Sequence, residues 1–260
     1  MRRLQLVEIE DLAWCPAAVR DGGTDWLAFM ANLTGVFVAV APKIRTAMTA
    51  AGTDRVLDLG SGGGGPWLTL EPELSTSGPV TVELSDLHPN AKALGAVCER
   101  GGGRLRWHSM PVDATNVPAD LEGVRTLFSA FHHYPPDRAE AVLADAVAKG
   151  RGVCVFEGVS HRAIGLLSVP LQVPAMMLMT PFVRPFRWSR LVFTYLIPLI
   201  PLVVLFDGIV SMLRLYSEDE LRELVERVSG HERYEWHIGS VAVAGWSIGP
   251  LYLVGFPTRR

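Results

Sequence analysis

The sequence predicts a doubly wound α/β fold with a mostly parallel sheet and an antiparallel edge. Three observations carry that expectation. Short apolar runs that read as strands alternate with helical stretches at the spacing of βαβ units. A run of glycines follows the first strand directly, in VLDLGSGGGGP, Val56 to Pro66. Two closing strand-like runs, ERYEWHI and LYLVGF, can be joined by a tight turn, which makes that edge antiparallel.

In chain order, residues 1–50 read as helix and loop. TDWLAFMANLTGVFVAVAPKIRTAM has helical apolar spacing, with Thr24 or Asp25 as its N-cap. RVLDL (55–59) is the first strand and VTVEL (80–84) the second, with a helix beginning near Pro89. LRWHSM (105–110) and VRTLFSAF (124–131) are the third and fourth. The following helix carries Asp137 and Glu140 as a capping-box pattern and Gly150 as its stop. GVCVFEG (152–158) is the fifth strand. After an apolar insertion comes a helix capped by Ser217 with Glu220 and ended by Gly230, then the two closing strands. This divides the chain into a helical cap (1–50), a ligand-binding core (51–160), a helical insertion (161–215) and a closing segment (216–260).

Composition narrows the function classes. With 260 residues, 49% of them hydrophobic and 20% charged, the chain can bury one large core. A formal net charge of −3 offers no basic excess for phosphates, which disfavours a nucleic-acid partner. The three cysteines, Cys15, Cys98 and Cys154, are far apart and fit neither a disulfide framework nor a zinc motif. MRRLQLVEIEDLAW lacks the apolar run of a signal peptide, so a cytoplasmic location is expected.

Glycines between a strand and a helix let backbone N–H groups approach a ligand closely. Gly60, Gly62 and Gly65 satisfy the dinucleotide pattern G-x-G-x-x-G; Gly60, Gly62 and Gly64, preceded by Asp58, satisfy D-x-G-x-G-x-G. Three features favour the second. A carboxylate at Asp58 suits a cationic amino group and would repel a pyrophosphate. Some fifty residues precede the turn, whereas dinucleotide folds usually open with it. A third strand-end acid, Asp113, lies in MPVDATNVP.

The stretches VLDLGSGGGG, VTVELSDLHP, MPVDAT and FSAFHHYPP resemble class I S-adenosylmethionine-dependent methyltransferases over roughly residues 50–160. WCPAAVRDGGTDWL and FDGIVSMLRLY are similar to segments of bacterial methyltransferases. The resemblance implies a Rossmann-like sheet of seven strands, the last antiparallel, and S-adenosyl-L-methionine as cofactor. It implies that Gly60, Ser61, Gly62 and Gly64 wrap the methionyl part, with Asp58 near its amino group. Asp86, followed by Leu87, would accept from the ribose hydroxyls, with Glu83 as the alternative acid. Asp113 and the Ala114 backbone would read the adenine amino group, and Ser129 and Phe131 would flank the methionine end. Arg20 could reach the cofactor carboxylate or lie on the surface.

A base is needed only for an acceptor protonated at neutral pH. His132, His133 and Glu157 follow the fourth and fifth strands, at the edge where ligands bind in such folds, and are the catalytic candidates. Asp207 interrupts an apolar run, so it either pairs with Arg214 or binds substrate. His88, His108, His161, His231 and His237 are scattered, no H-x-x-x-H spacing occurs, and no metal is expected.

The mean hydropathy of +0.24 is high for a soluble enzyme and comes mainly from residues 163–206. Residues 163–183 and 191–206 carry no charge, and Arg184, Arg187 and Arg190 lie between them. Prolines 170, 174, 198 and 201 interrupt both runs, and a spanning hairpin would put the arginines on the far side of the membrane. The preferred reading is a helical lid over a lipophilic acceptor pocket, with Met176, Met177, Met179, Phe182 and Tyr195 as an adaptable wall. Membrane-surface contact or embedding, a homodimer interface and, least favoured, a membrane span are the other readings. The whole predicts methyl transfer to a small, fairly apolar molecule, at oxygen or nitrogen rather than carbon. The rivals are an NAD(P)-binding oxidoreductase, for which no Tyr-x-x-x-Lys is present, and a non-catalytic membrane-associated protein of the same fold.

Overall fold

In the computed structural model, residues 3–243 and 249–258 are described. Seven strands form one sheet: β1 (Arg55–Leu59), β2 (Thr81–Ser85), β3 (Leu105–Trp107), β4 (Val124–Phe128), β5 (Val153–Glu157), β6 (Tyr234–Ser240) and β7 (Leu251–Pro257). Their order is β3-β2-β1-β4-β5-β7-β6. β1 to β5 are parallel, and β7 runs antiparallel between β5 and β6. The antiparallel edge expected from the two closing runs is therefore the pair β7–β6.

Period-2 alternation sorts the strand residues onto two buried faces. Leu57, Leu59, Leu127, Val153 and Val155 pack under α5 (Pro136–Ala148) and α9 (Glu218–Arg227). Val56, Val82, Val124, Cys154 and Phe156 point the other way, under α2 (Ala41–Ala51), α3 (Trp67–Ser75) and α4 (Ala91–Arg100). Two strands stop earlier than their apolar runs. β3 ends at Trp107, and β4 ends where Ser129 takes a φ of +47°.

The helices show where local signals hold. Ser217 and Glu220 form the reciprocal cap of α9. Asp137 and Glu140 do not form one, because α5 already starts at Pro136 with Pro135 as its N-cap, which places Asp137 inside the first turn. Likewise α1 (Ala17–Thr34) has Pro16 as its N-cap, well before Thr24.

The insertion folds as α6 (Arg162–Met179), the short α7 (Trp188–Leu191) and α8 (Leu199–Arg214), with a π-helical turn at Val192–Leu196. Cys15, Val19 and Trp26 of the N-terminal segment share a third apolar cluster with Met176, Val183, Ile200 and Val204. The two segments that flank the core in sequence thus form one helical layer. Arg187 and Arg190 do not mark a solvent-facing loop: their guanidinium groups lie 3.1 Å and 3.0 Å from Oδ2 of the buried Asp25 in α1. Burial pushes the Asp25 carboxyl up to about 6, against the pull of these two arginines.

Candidate active site

The turn after β1 is shaped by backbone that side chains would spoil. Gly60, Gly62, Gly64 and Gly65 all have positive φ. A Cβ at Gly60 would lie 3.3 Å from Ala130 Cβ, so the bare glycine keeps a gap between the tips of β1 and β4. Other glycines serve packing. A Cβ at Gly63 would sit 2.6 Å from the Thr24 carbonyl oxygen, and one at Gly64 would sit 2.6 Å from Val97 Cγ2. The turn is therefore pressed against α1 and α4, and Gly64 is a contact with α4.

Asp58 does not face a ligand. It is buried, and its two oxygens accept from Ser61 Oγ at 2.6 Å and Thr126 Oγ1 at 2.7 Å. Burial pushes its carboxyl up to about 6, while those hydroxyls hold it down. Ser61 is likewise turned inward, and Ser85 Oγ donates to the Asp58 carbonyl at 2.7 Å. This knot fixes the turn from below.

Asp86 stands just beyond β2 and reaches the turn from the side. Its Oδ2 accepts from the Gly62 N–H at 2.8 Å and its Oδ1 from the His88 N–H at 2.8 Å. Glu83 sits within β2, 3.4 Å from His108, and takes no part. Leu87 is exposed beside Asp86. Asp113 accepts from the Thr115 N–H and hydroxyl and pairs with Arg138 at 3.2 Å, so its carboxylate is already engaged; the adjacent Ala114 is buried. Burial would raise the Asp113 carboxyl, but Thr115 and Arg138 hold it below its ordinary value. Ser129 is exposed at the β4 tip. Phe131 is not: it lies in the core against Tyr134 and Tyr216, and so cannot flank a ligand. Arg20 is spent on the Glu10 and Leu12 carbonyls.

Beyond the strand-end acids lies a cluster at the turn Phe131–His133. His132 is buried. Glu157, at the end of β5, accepts from His132 twice: from its backbone N–H at 3.0 Å and from Nδ1 at 2.8 Å. His133 Nδ1 lies 2.9 Å from Asp11 Oδ1, and the two imidazole centroids are 4.4 Å apart. Burial alone would lower His133, but Glu8, the bond to Asp11 and Glu10 outweigh it and raise the imidazole to about 9. Burial would also raise Asp11, yet its bonds to His133 and Arg214 hold it well below the carboxylate range. Glu10 is pushed up to about 7, burial being the main cause and Glu8, Asp207 and Asp11 adding to it.

Asp207 does not pair with Arg214. It accepts from the backbone N–H groups of Ile9 at 2.7 Å and Glu10 at 3.1 Å, and so ties α8 to the N-terminal segment. Arg214 instead binds Glu8 at 3.1 Å and Asp11 at 2.7 Å, and donates to the carbonyls of His132 and His133. Glu8, Asp11 and Thr126 are the residues that sequence reasoning missed. Glu8 and Asp11 lie more than 120 positions from the histidines they meet, and no local spacing announces them.

The same architecture recurs in solved structures of low identity. The neocarzinostatin-biosynthesis O-methyltransferase NcsB1, solved with S-adenosyl-L-homocysteine and 1,4-dihydroxy-2-naphthoic acid, is 16% identical with a TM-score of 0.54, covering 94% of this chain and 59% of that one. Mitomycin 7-O-methyltransferase MmcR is 15% identical with a TM-score of 0.50, covering 89% and 56%. The methyltransferase domain of bacterial CtHen1 is 12% identical with a TM-score of 0.50, covering 84% and 97%. The chain spans a little over half the length of the first two, and the likeness establishes a shared Rossmann-like fold. The sequence matches no family model and no curated protein.

Proposed function

We propose that the chain is an S-adenosylmethionine-dependent methyltransferase for a small, fairly apolar acceptor with an oxygen or nitrogen nucleophile. The observation that carries this reading is the glycine turn clamped by Asp86 at the β1 and β2 tips, within a sheet whose antiparallel β7 lies between β5 and β6. A dinucleotide fold has the all-parallel order 3-2-1-4-5-6, which this sheet departs from. The side-chain-free gap at Gly60 fits the methionyl part of the cofactor, Asp86 the ribose hydroxyls and the Ala114 backbone the adenine. Asp58 serves by holding the turn in shape.

The cofactor supplies both methyl and leaving group, so the protein's part is alignment and exclusion of water. With Nδ1–H given to Glu157, His132 presents Nε2 as a lone pair able to take an acceptor proton. S-adenosylhomocysteine at a hundred times its dissociation constant should add about 2.7 kcal/mol, a rise of roughly 5–11 °C in melting temperature. NAD and NADP should add nothing; a rise with NAD alone would overturn the assignment.

The outer face of the insertion supports a lipid contact. Residues Arg162–Phe182 are long and apolar enough to cross a bilayer by length and composition. Leu167, Leu178, Trp188 and Leu196 are each at least 75% exposed, and Leu171, Phe182 and Leu202 extend the same uncharged surface. The inner face of α8 carries Asp207 and Arg214 into the active-site cluster, which fits a helix lying on a membrane better than one spanning it. The protein should float with phosphatidylcholine–phosphatidylglycerol vesicles, and a Leu167→Glu/Leu196→Glu variant should stay in solution. Wild-type protein that ignores vesicles but elutes as a dimer would assign this face to a second copy instead.

A further inference from the structure

The imidazoles of His132 and His133 converge on the carboxylate of Glu8, which lies more than 120 positions away in the chain. His132 Nε2 is 3.7 Å from Glu8 Oε1, and His133 Nε2 is 3.7 Å from Glu8 Oε2. One such atom from each residue lies within 4.8 Å of the others. A separation of 3.7 Å is too long for a hydrogen bond. It suits two atoms that share an ion about 2.0–2.2 Å from each.

The second observation is an orphan. His132 is 4% exposed, and its Nε2 is fully buried with no hydrogen-bond partner among the described residues. A buried polar atom aimed at a carboxylate and left unpaired is costly unless something occupies the space between them. The supports of both rings point the same way. Glu157 holds His132 at Nδ1 and Asp11 holds His133 at Nδ1, so each ring is oriented by a carboxylate and points Nε2 at Glu8; His133, raised to about 9 in the metal-free protein, releases its proton when a cation binds. Carboxylates behind ligating imidazoles orient them and raise their basicity in this manner. Charge agrees with geometry. Glu8, Glu10, Asp11, Glu157 and Asp207 surround the point; Arg214 engages Glu8 through Oε1 and leaves Oε2, while Arg3 and Arg20 are turned to backbone carbonyls.

We propose that Glu8, His132 and His133 form a site for a divalent transition cation of zinc-like preference. Two imidazoles and one carboxylate favour such an ion over magnesium or calcium, which take oxygen ligands. Three protein ligands leave a fourth position open, the pattern of a catalytic rather than a structural centre. The side chain of His133 is partly exposed, so the position is reachable. On the methyltransferase reading, an acceptor oxygen entering it would be polarised beside the bound cofactor.

The test is zinc titration of chelator-stripped protein in competition with a chromophoric chelator, with cobalt(II) as a spectroscopic substitute. Wild type should take up a single equivalent and give the visible bands of nitrogen-ligated cobalt. A His132→Ala/His133→Ala variant should lose that equivalent. Glu157→Gln should weaken it by about 10–100-fold while keeping the stoichiometry. Should the double variant misfold, the wild-type cobalt spectrum decides alone. No uptake by wild type, or the same uptake by the folded double variant, overturns the site. Stabilisation by S-adenosylhomocysteine without zinc uptake would remove the metal and keep the methyltransferase, with His132 as a free base. Zinc uptake without any response to that ligand would do the reverse.

Discussion

Arg214→Ala should cost the metal-free protein about 3–5 kcal/mol, the usual penalty for stripping the partner from a buried charge. That corresponds to a fall of roughly 6–20 °C in melting temperature. The arginine is 2% exposed, and Glu8, which it neutralises, is 1% exposed. Its guanidinium also holds Asp11 and the carbonyls of His132 and His133, so several buried groups lose their partner at once. Arg214→Lys should recover only part of the loss, because a single ammonium cannot reproduce the fork. Calorimetric melting of both variants in chelator checks this. A change below about 1 kcal/mol, the value of an exposed pair, would mean that Glu8 is not buried as described.

The second large effect belongs to Asp86. Its carboxylate holds the Gly62 N–H, and on the proposed function it is the acceptor for the ribose hydroxyls. Hydrogen bonds to a charged group contribute about 1.5–3 kcal/mol, so Asp86→Ala should weaken S-adenosylhomocysteine binding by roughly 10–100-fold. Glu157→Ala should leave that affinity nearly unchanged, since Glu157 supports His132 instead. Titration calorimetry on the two variants separates them. Equal losses would misplace the ribose site.

Much of this was legible in the sequence because the signals were local. Strands buried on both faces read as apolar runs, so RVLDL, VRTLF and VCVFE stood out. The reciprocal cap of α9 needs residues only three apart. The position of Asp86 just beyond β2 was readable as well. Contacts between distant segments were not. Asp58 looked like a ligand-facing acid, but Thr126, on a strand 68 residues later, closes over it. Arg187 and Arg190 stood in the sequence only as charges between two apolar runs, and their partner, Asp25 of α1, lies about 160 positions away. Phe131 lay two residues from exposed Ser129 and still turned into the core, a choice made by Tyr216 and α5 rather than by its neighbours.

One tie has a consequence for the order of assembly. Residues 8–11 are anchored by Asp207 and Arg214, about 200 positions downstream, while their carboxylates meet the histidines of the β4 turn. On the ribosome the acidic strap emerges well before its anchor and must wait for that anchor to be translated. The central strands can pair earlier, but contacts so far apart in sequence form late. The five parallel strands, all of which precede α8 in the chain, can therefore pair before residues 8–11 find their anchor, while β6 and β7 join the sheet only after α8 has emerged.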